Sequence, residues 1–255
     1  MKALKKNFTN NQPPLCSAEI NLDESINHAE YPFCLPIIQS TKEIVFDHPV
    51  TFFVGENGAG KSTILESISH NIGLGPEGGS KNINFSTTSS TASALGECMK
   101  LSWNYKPQDA YFFRAESFFN VANYLEGIAK DDYRAYSSYG NKSLHHQSHG
   151  ESFFAFFSNR LGDSGIYILD EPESALSPQR QLALLRIIYN LTKQNTGQFI
   201  IATHSPILLA YPNATIYSCD NDVLQKIKYE DTAHYQITKQ FLNNTELYLK
   251  NLLSE

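Results

Sequence analysis

Gly55-Glu56-Asn57-Gly58-Ala59-Gly60-Lys61-Ser62-Thr63 fits the pattern G-x-x-x-x-G-K-[ST], and no other stretch of the 255-residue chain limits its folding options so strongly. The preceding run, Val50-Thr51-Phe52-Phe53-Val54, is β-branched and aromatic, the composition of a buried strand. From Ser62 to Ile68 apolar side chains recur at helical spacing. Strand, glycine loop and helix in this order suit a phosphate cradle. Glycine lets backbone N–H groups curl around an anion, and the helix N-terminus adds partial positive charge. Asn57, Gly58, Ala59, Gly60 and Thr63 are expected to line that cradle. Lys61 should reach the β- and γ-phosphates of a nucleotide, and the Ser62 hydroxyl should join a Mg²⁺ shell. A plain glycine turn before an ordinary helix would need neither the lysine nor these flanks.

The charge balance narrows the partners. A net charge of −6 and a pI near 5.8 argue against a stand-alone nucleic-acid binder, and leave DNA open as a partner only through a local basic patch. Cys16, Cys34, Cys98 and Cys219 form no C-x-x-C pair, so reduced thiols in a cytoplasmic protein are expected. Met1 to Gln12 lacks an apolar signal-peptide core, and no apolar run approaches the ~18 residues of a membrane span.

The remaining pattern indicates an α/β fold with a mixed sheet, N-terminal antiparallel strands and a small helical subdomain. A short strand is read near Ser17–Asn21. Ile44–Phe46 and Val50–Val54 read as strands joined by a tight turn at Asp47-His48-Pro49, and the helix after the glycine loop ends near Asn71. Met99–Trp103 and Tyr111–Arg114 read as strands. Ser117–Ala129 and Glu151–Leu161 read as helices, the second with a phenylalanine stripe suited to packing. Ile166–Leu169 is a strand apolar on both faces, as in a parallel sheet. Ser177-Pro178 starts a helix through Gln194 with Leu182, Leu185, Ile188 and Leu191 inward. Strands at Gln198–Thr203, Thr215–Cys219 and Leu224–Tyr229, a short helix at Pro206–Ala210, and two helices in the tail complete the reading. One domain spans 1–255. Segments 31–115 and 162–230 form the nucleotide core, 116–161 a helical part and 231–255 C-terminal helices.

Ile166-Tyr167-Ile168-Leu169 delivers Asp170 to the end of a buried strand, where a P-loop site needs a second Mg²⁺ ligand. Glu171 follows and points differently, so it can act as general base toward a water. His204 ends the next strand and can contact the γ-phosphate. Read alone, two acids at a strand end are a solvated turn and a lone histidine is structural; the glycine loop changes both readings.

At these residues the chain resembles the ABC-type ATPases of the broad AAA class. Pro172-Glu173-Ser174-Ala175-Leu176-Ser177 is similar to the D-loop of that family, and Ala202-Thr203-His204-Ser205-Pro206 to its switch-histidine segment. Ser148-His149-Gly150-Glu151-Ser152 is similar to the LSGGQ signature, with His149 in place of the first glycine and Glu151 in place of the glutamine. Within the family it looks closest to small soluble bacterial ATPases related to the SMC and repair branch. The resemblance covers roughly Tyr31 to the C-terminal helices. It implies ATP as ligand with Mg²⁺, Glu171 and His204 as catalytic residues, Ser62 and Asp170 on the metal, and Ser148, Gly150 and Glu151 acting across a homodimer. It also implies a lid glutamine near residues 112–117, where Arg114 or Glu116 stands instead, and an adenine-stacking aromatic, for which Tyr31 and Phe33 are the candidates. A metal site at His145, His146 and His149 is the competing reading of the histidine-rich stretch, and it lacks cysteine or carboxylate ligands to complete it.

The expected function is ATP hydrolysis by a cytoplasmic ATP-sandwich homodimer, working with a protein partner in DNA repair or phage defence. No heptad-bearing insertion separates the lobes. The roughly fifty residues after His204 lie at the lower limit for a nuclease domain. The alternatives are a nucleotide-binding subunit of a membrane transporter and a non-hydrolysing ATP sensor that regulates a nuclease.

Overall fold

The computed structural model describes residues 12–81, 92–130, 136, 143, 149–162, 164–193 and 197–254. Its N-terminal elements are β1 (Leu15–Ile20), α1 (Pro36–Ser40), β2 (Glu43–Val45), β3 (Val50–Val54), α2 (Lys61–Ile72), β4 (Gly79–Ser80) and α3 (Ala92–Glu97). β5 (Met99–Trp103), β6 (Asp109–Arg114), α4 (Phe118–Ala129), α5 (His149–Asn159), β7 (Gly165–Asp170) and α6 (Pro178–Thr192) follow. The chain continues through β8 (Gln198–Ala202), α7 (Pro206–Leu209), β9 (Thr215–Ser218), β10 (Gln225–Ile227), α8 (Ala233–Asn243) and α9 (Thr245–Leu253).

A seven-stranded sheet runs β10-β9-β3-β8-β7-β6-β4, parallel from β9 to β6 with an antiparallel strand at each edge. A second, three-stranded antiparallel sheet runs β2-β1-β5. β2 and β3 therefore do not pair with each other, contrary to the tight-turn reading of 47–49. Their burial gives the reason. Only Ile44 of β2 is buried, as in a strand solvated on one face, whereas every residue of β3 is buried, as in the centre of a parallel sheet.

The large sheet separates two apolar layers. Phe52, Tyr111, Phe113, Tyr167, Leu169, Phe199 and Ile201 face one layer, completed by α4, α5, α6 and α7. Their alternate neighbours, including Phe53, Phe112, Ile166, Ile168 and Ile200, face the other. There they meet Ile64, Leu65 and Ile68 of α2 and the inner face of the small sheet. The phenylalanines of α5 are packing, as expected: Phe153, Phe156 and Phe157 stand 5.0, 5.2 and 4.9 Å from the ring of Phe113. α6 differs from expectation in one position, because Leu182 is exposed while Leu184 and Ile188 are fully buried. The two sheets are joined through Gln198, a fully buried amide whose Oε1 accepts from Leu15 N at 2.8 Å and whose Nε2 donates to Leu15 O at 3.0 Å.

Candidate nucleotide site

β3 stops at Val54 because Gly55 turns the chain at φ 147°, and Gly58 and Gly60 continue the loop at φ 84° and 90°. Gly60 caps α2 in the left-handed conformation, and a Cβ there would stand 2.8 Å from Ile37 Cγ2. Lys61 begins the helix. Its buried Nζ donates to the carbonyls of Gly55 and Glu56, both at 2.8 Å, and burial lowers its pKa. The loop is thus closed on its own lysine.

A parallel neighbour also braces the loop. Asp220, just past β9, accepts from Glu56 N at 3.1 Å through Oδ1 and from Ser218 Oγ at 3.0 Å through Oδ2. Sequence reasoning missed this residue. Its signal was an acid just beyond the Thr215–Cys219 strand, the same strand-end position that singles out Asp170.

Asp170 emerges from β7 buried at the sheet edge, and Ser62 Oγ donates to its Oδ1 at 3.1 Å. Burial pushes its carboxyl up to about 6 despite the Arg114 charge nearby. Arg114, paired with Asp170 in the β6–β7 register, puts its Nε 3.8 Å from Asp170 Oδ2. Its other nitrogens lie 2.9 Å from Glu66 Oε1 and 3.2 Å from Glu116 Oε2. A buried carboxylate beside a serine hydroxyl is a set of hard oxygen donors suited to Mg²⁺, and both groups sit directly under the glycine loop.

Glu171 turns away from the strand at φ 51°, a conformation rare outside glycine, while its N–H donates to Ala202 O at 3.0 Å. That turn leaves its carboxylate half-exposed, with Oε1 3.6 Å from His204 Nε2. His204 follows β8. Its backbone N–H donates to Glu173 Oε1 at 2.6 Å, and its Nδ1 lies 3.0 Å from Nε2 of His234 on α8. Sequence reasoning did not single out His234.

A cleft of about 690 Å³ runs along the outer side of the loop. It is lined by Leu35–Ile37, Gly55–Ala59, Cys219–Asp222 and, on α8, Ala233, His234, Ile237 and Thr238. Of the two aromatic candidates, Tyr31 is half-exposed with its hydroxyl 2.8 Å from Thr63 Oγ1, and Phe33 packs against the core. Gly150 and Glu151 lie in the first turn of α5, where a Cβ on Gly150 would stand 2.8 Å from Ala175 O and 2.5 Å from Arg180 Nη1. Ser148, His145, His146 and the His149 side chain lie outside the described residues. Among the described residues no cluster of histidine, cysteine and carboxylate forms a metal site.

Two family models match the chain and overlap. A model described as "AAA domain" matches residues 34–127, and one described as "AAA domain, putative AbiEii toxin, Type IV TA system" matches 102–210. Together the two models span residues 34–210, and over that stretch the chain is similar to AAA domains. A curated relative, the energy-coupling factor transporter ATP-binding protein EcfA of Methanosphaera stadtmanae, is 25% identical over 218 residues, covering 73% of this chain and 76% of the relative. Among solved structures, a nucleotide-free ATP-binding cassette from an ABC transporter superposes with a TM-score of 0.51 at 14% identity, covering 92% of this chain and 98% of that one. It supports the fold alone. An SMC head domain from Thermotoga maritima covers 84% of this chain and 98% of its own at a TM-score of 0.42 and 15% identity, a likeness that carries no argument about function. The mixed sheet with its separate antiparallel sheet is the fold of the ABC-type ATPase domain. No helix among the described residues is long and apolar enough to cross a membrane.

Proposed function

We propose that the chain binds ATP with Mg²⁺ and hydrolyses it as a cytoplasmic ATP-sandwich homodimer, serving a protein partner in DNA repair or phage defence. One observation carries this reading. Ser62, Asp170, Glu171 and His204 converge beyond the carboxyl ends of β3, β7 and β8, three neighbouring strands of the parallel sheet. Lys61 exchanges its two loop carbonyls for phosphate oxygens. Ser62 and Asp170 would hold Mg²⁺, which would supply positive charge beside the phosphates. Glu171 takes a proton from the attacking water, and His204 holds the γ-phosphate end of the site. Ser148, Gly150 and Glu151 of a second copy complete the other side of the nucleotide at the N-terminus of α5. Residues 31–115 and 162–230 form the ATP core, 116–161 the signature-bearing part and 231–255 the C-terminal helices.

Phosphate release with Mg²⁺ and ATP, with and without DNA, tests hydrolysis. Wild type is expected to turn over, and Lys61→Ala and Glu171→Gln to lose on the order of 100-fold or more. In size-exclusion with ATP and Mg²⁺, Glu171→Gln is expected to run as a dimer and Lys61→Ala as a monomer. A monomeric Glu171→Gln overturns the sandwich. ATP binding without turnover in wild type leaves the sensor reading in its place. The EcfA relative favours one second reading, a nucleotide-binding subunit of a membrane transporter, which stable co-purification with a membrane protein would establish.

A further inference from the structure

His234 has no role in the hydrolysis set out above, yet it occupies the second nitrogen of His204. His204 Nδ1 and His234 Nε2 stand 3.0 Å apart, a hydrogen bond that needs one donor and one acceptor. Burial lowers the pKa of both rings. The charge of Lys61 adds to the effect at both rings. Burial and this charge together outweigh the opposing pull of Glu171 and Asp220 at His204 and of Asp220 at His234, so the neutral imidazole is the favoured form of each at neutral pH. Each ring then carries a single N–H, and only two arrangements satisfy the contact.

In the first, His234 Nε2–H donates to His204 Nδ1. The His204 proton is then on Nε2, facing Glu171 Oε1 at 3.6 Å, and His234 Nδ1 is a bare lone pair. In the second, His204 Nδ1–H donates to His234 Nε2. The His204 Nε2 lone pair then faces the Glu171 carboxylate, and His234 is left with an N–H on Nδ1. Neither His204 Nε2 nor His234 Nδ1 has a hydrogen-bond partner, and both are buried. Each arrangement buries one ring N–H without a hydrogen-bond partner, so the carboxylate decides between them. The second sets a lone pair against the Glu171 anion, whereas the first turns an N–H toward it at 3.6 Å.

The geometry points to His234 as a positioning residue that holds His204 in its Nε2–H tautomer, so that the ring presents a donor toward Glu171 and the terminal phosphate. The consequence for turnover rests on the ATPase reading; the tautomer does not. His234 is held to the His204 loop for this purpose. Tyr229 OH donates to Pro206 O at 2.9 Å, Thr232 Oγ1 donates to Tyr229 O at 2.8 Å, and the same Thr232 oxygen caps α8 by accepting from Tyr235 N at 3.2 Å. The first turn of α8 therefore travels with the segment two residues beyond His204.

The test is ¹⁵N NMR of the full chain with labelled histidine at pH 8, combined with steady-state phosphate release. In the free wild-type protein, His204 Nε2 is expected at a protonated, pyrrole-type shift and Nδ1 at a pyridine-type shift. His234→Gln supplies an amide N–H and is expected to keep that tautomer, with kcat within about fivefold of wild type. His234→Glu supplies an acceptor and is expected to place a proton on His204 Nδ1. It and His234→Leu should lower kcat about 10- to 100-fold with KM within about threefold, a fraction of what proton-transfer and orientation groups ordinarily contribute. A wild-type His204 protonated on Nδ1 overturns the inference, and so does a His234→Leu enzyme with unchanged kcat. If wild type releases no phosphate, the ATPase reading fails, and the shifts of the free protein decide the tautomer by themselves.

Discussion

The carboxyl of Asp170 is buried where β7 ends, with the Ser62 hydroxyl on one oxygen and the Arg114 guanidinium 3.8 Å from the other. Burial outweighs both and raises its pKa from 3.8 to about 6. The folded protein therefore holds this proton more tightly than the unfolded chain does. Without metal, stability falls as pH rises from about 4 through about 6 and the penalty is complete above that. Asp170→Asn removes the penalty, so it should stabilise the metal-free protein by about 1–3 kcal/mol at pH 8 and by nothing near pH 4. Urea unfolding in EDTA measures this, and equal stabilities at pH 8 would refute it. Adding Mg²⁺ and ATP should stabilise wild type and leave the asparagine variant nearly unmoved. Asp170 was legible in sequence because a four-residue apolar run delivers it and a glycine loop gives it a purpose. Asp220 also follows a strand, but no motif gave it a purpose, and His234 had no local pattern at all. One contacts the loop because β9 lies beside β3, and the other touches His204 because α8 packs over it; both depend on tertiary placement.

The loop between β3 and α2 combines two constraints that substitutions can separate. Gly60 needs a positive φ and also lies against Ile37, 2.8 Å from where a Cβ would stand, whereas Gly58 needs only the positive φ and faces open space. Gly58→Ala should cost about 1 kcal/mol of backbone strain, and Gly60→Ala about 2–3 kcal/mol because Ile37 must also shift. Titration with a fluorescent ATP analogue should show the greater affinity loss for Gly60→Ala. Equal losses would mean that the contact with Ile37 has no consequence. Elements of this kind were readable in sequence because punctuation and spacing are local. Where the reading slipped, geometry explains it. Leu182, Leu185, Ile188 and Leu191 recur every third residue, and a step of three on a 3.6-residue turn drifts around the helix. The drift carries Leu182 into solvent while Leu184 and Ile188, four apart, share the inner stripe. β2 and β3 were both legible as strands, but which sheet each joins depends on partners far away in sequence.

Across the whole molecule, the site lies between an apolar layer built on α4–α7 and another built on α2 and the small sheet. The strand order, with β8 between β3 and β7, brings His204 and Glu171 beside the loop, and no local sequence pattern specifies that order. Motions of the glycine loop against the small sheet must respect the seam between the two sheets. Gln198 closes that seam by acting toward Leu15 as a peptide group would, donating and accepting at one residue. Separating the sheets would strand an amide, an N–H and a carbonyl in an apolar interior. Gln198→Leu should therefore destabilise the fold by about 2–4 kcal/mol. The sharper signature is in hydrogen–deuterium exchange. The Leu15 amide, close to the start of the described chain, should exchange as slowly as the central strands in wild type and lose that protection in the variant. If it does, the small sheet and the nucleotide loop are one rigid lever, and any swing that ATP drives must pivot elsewhere in the chain.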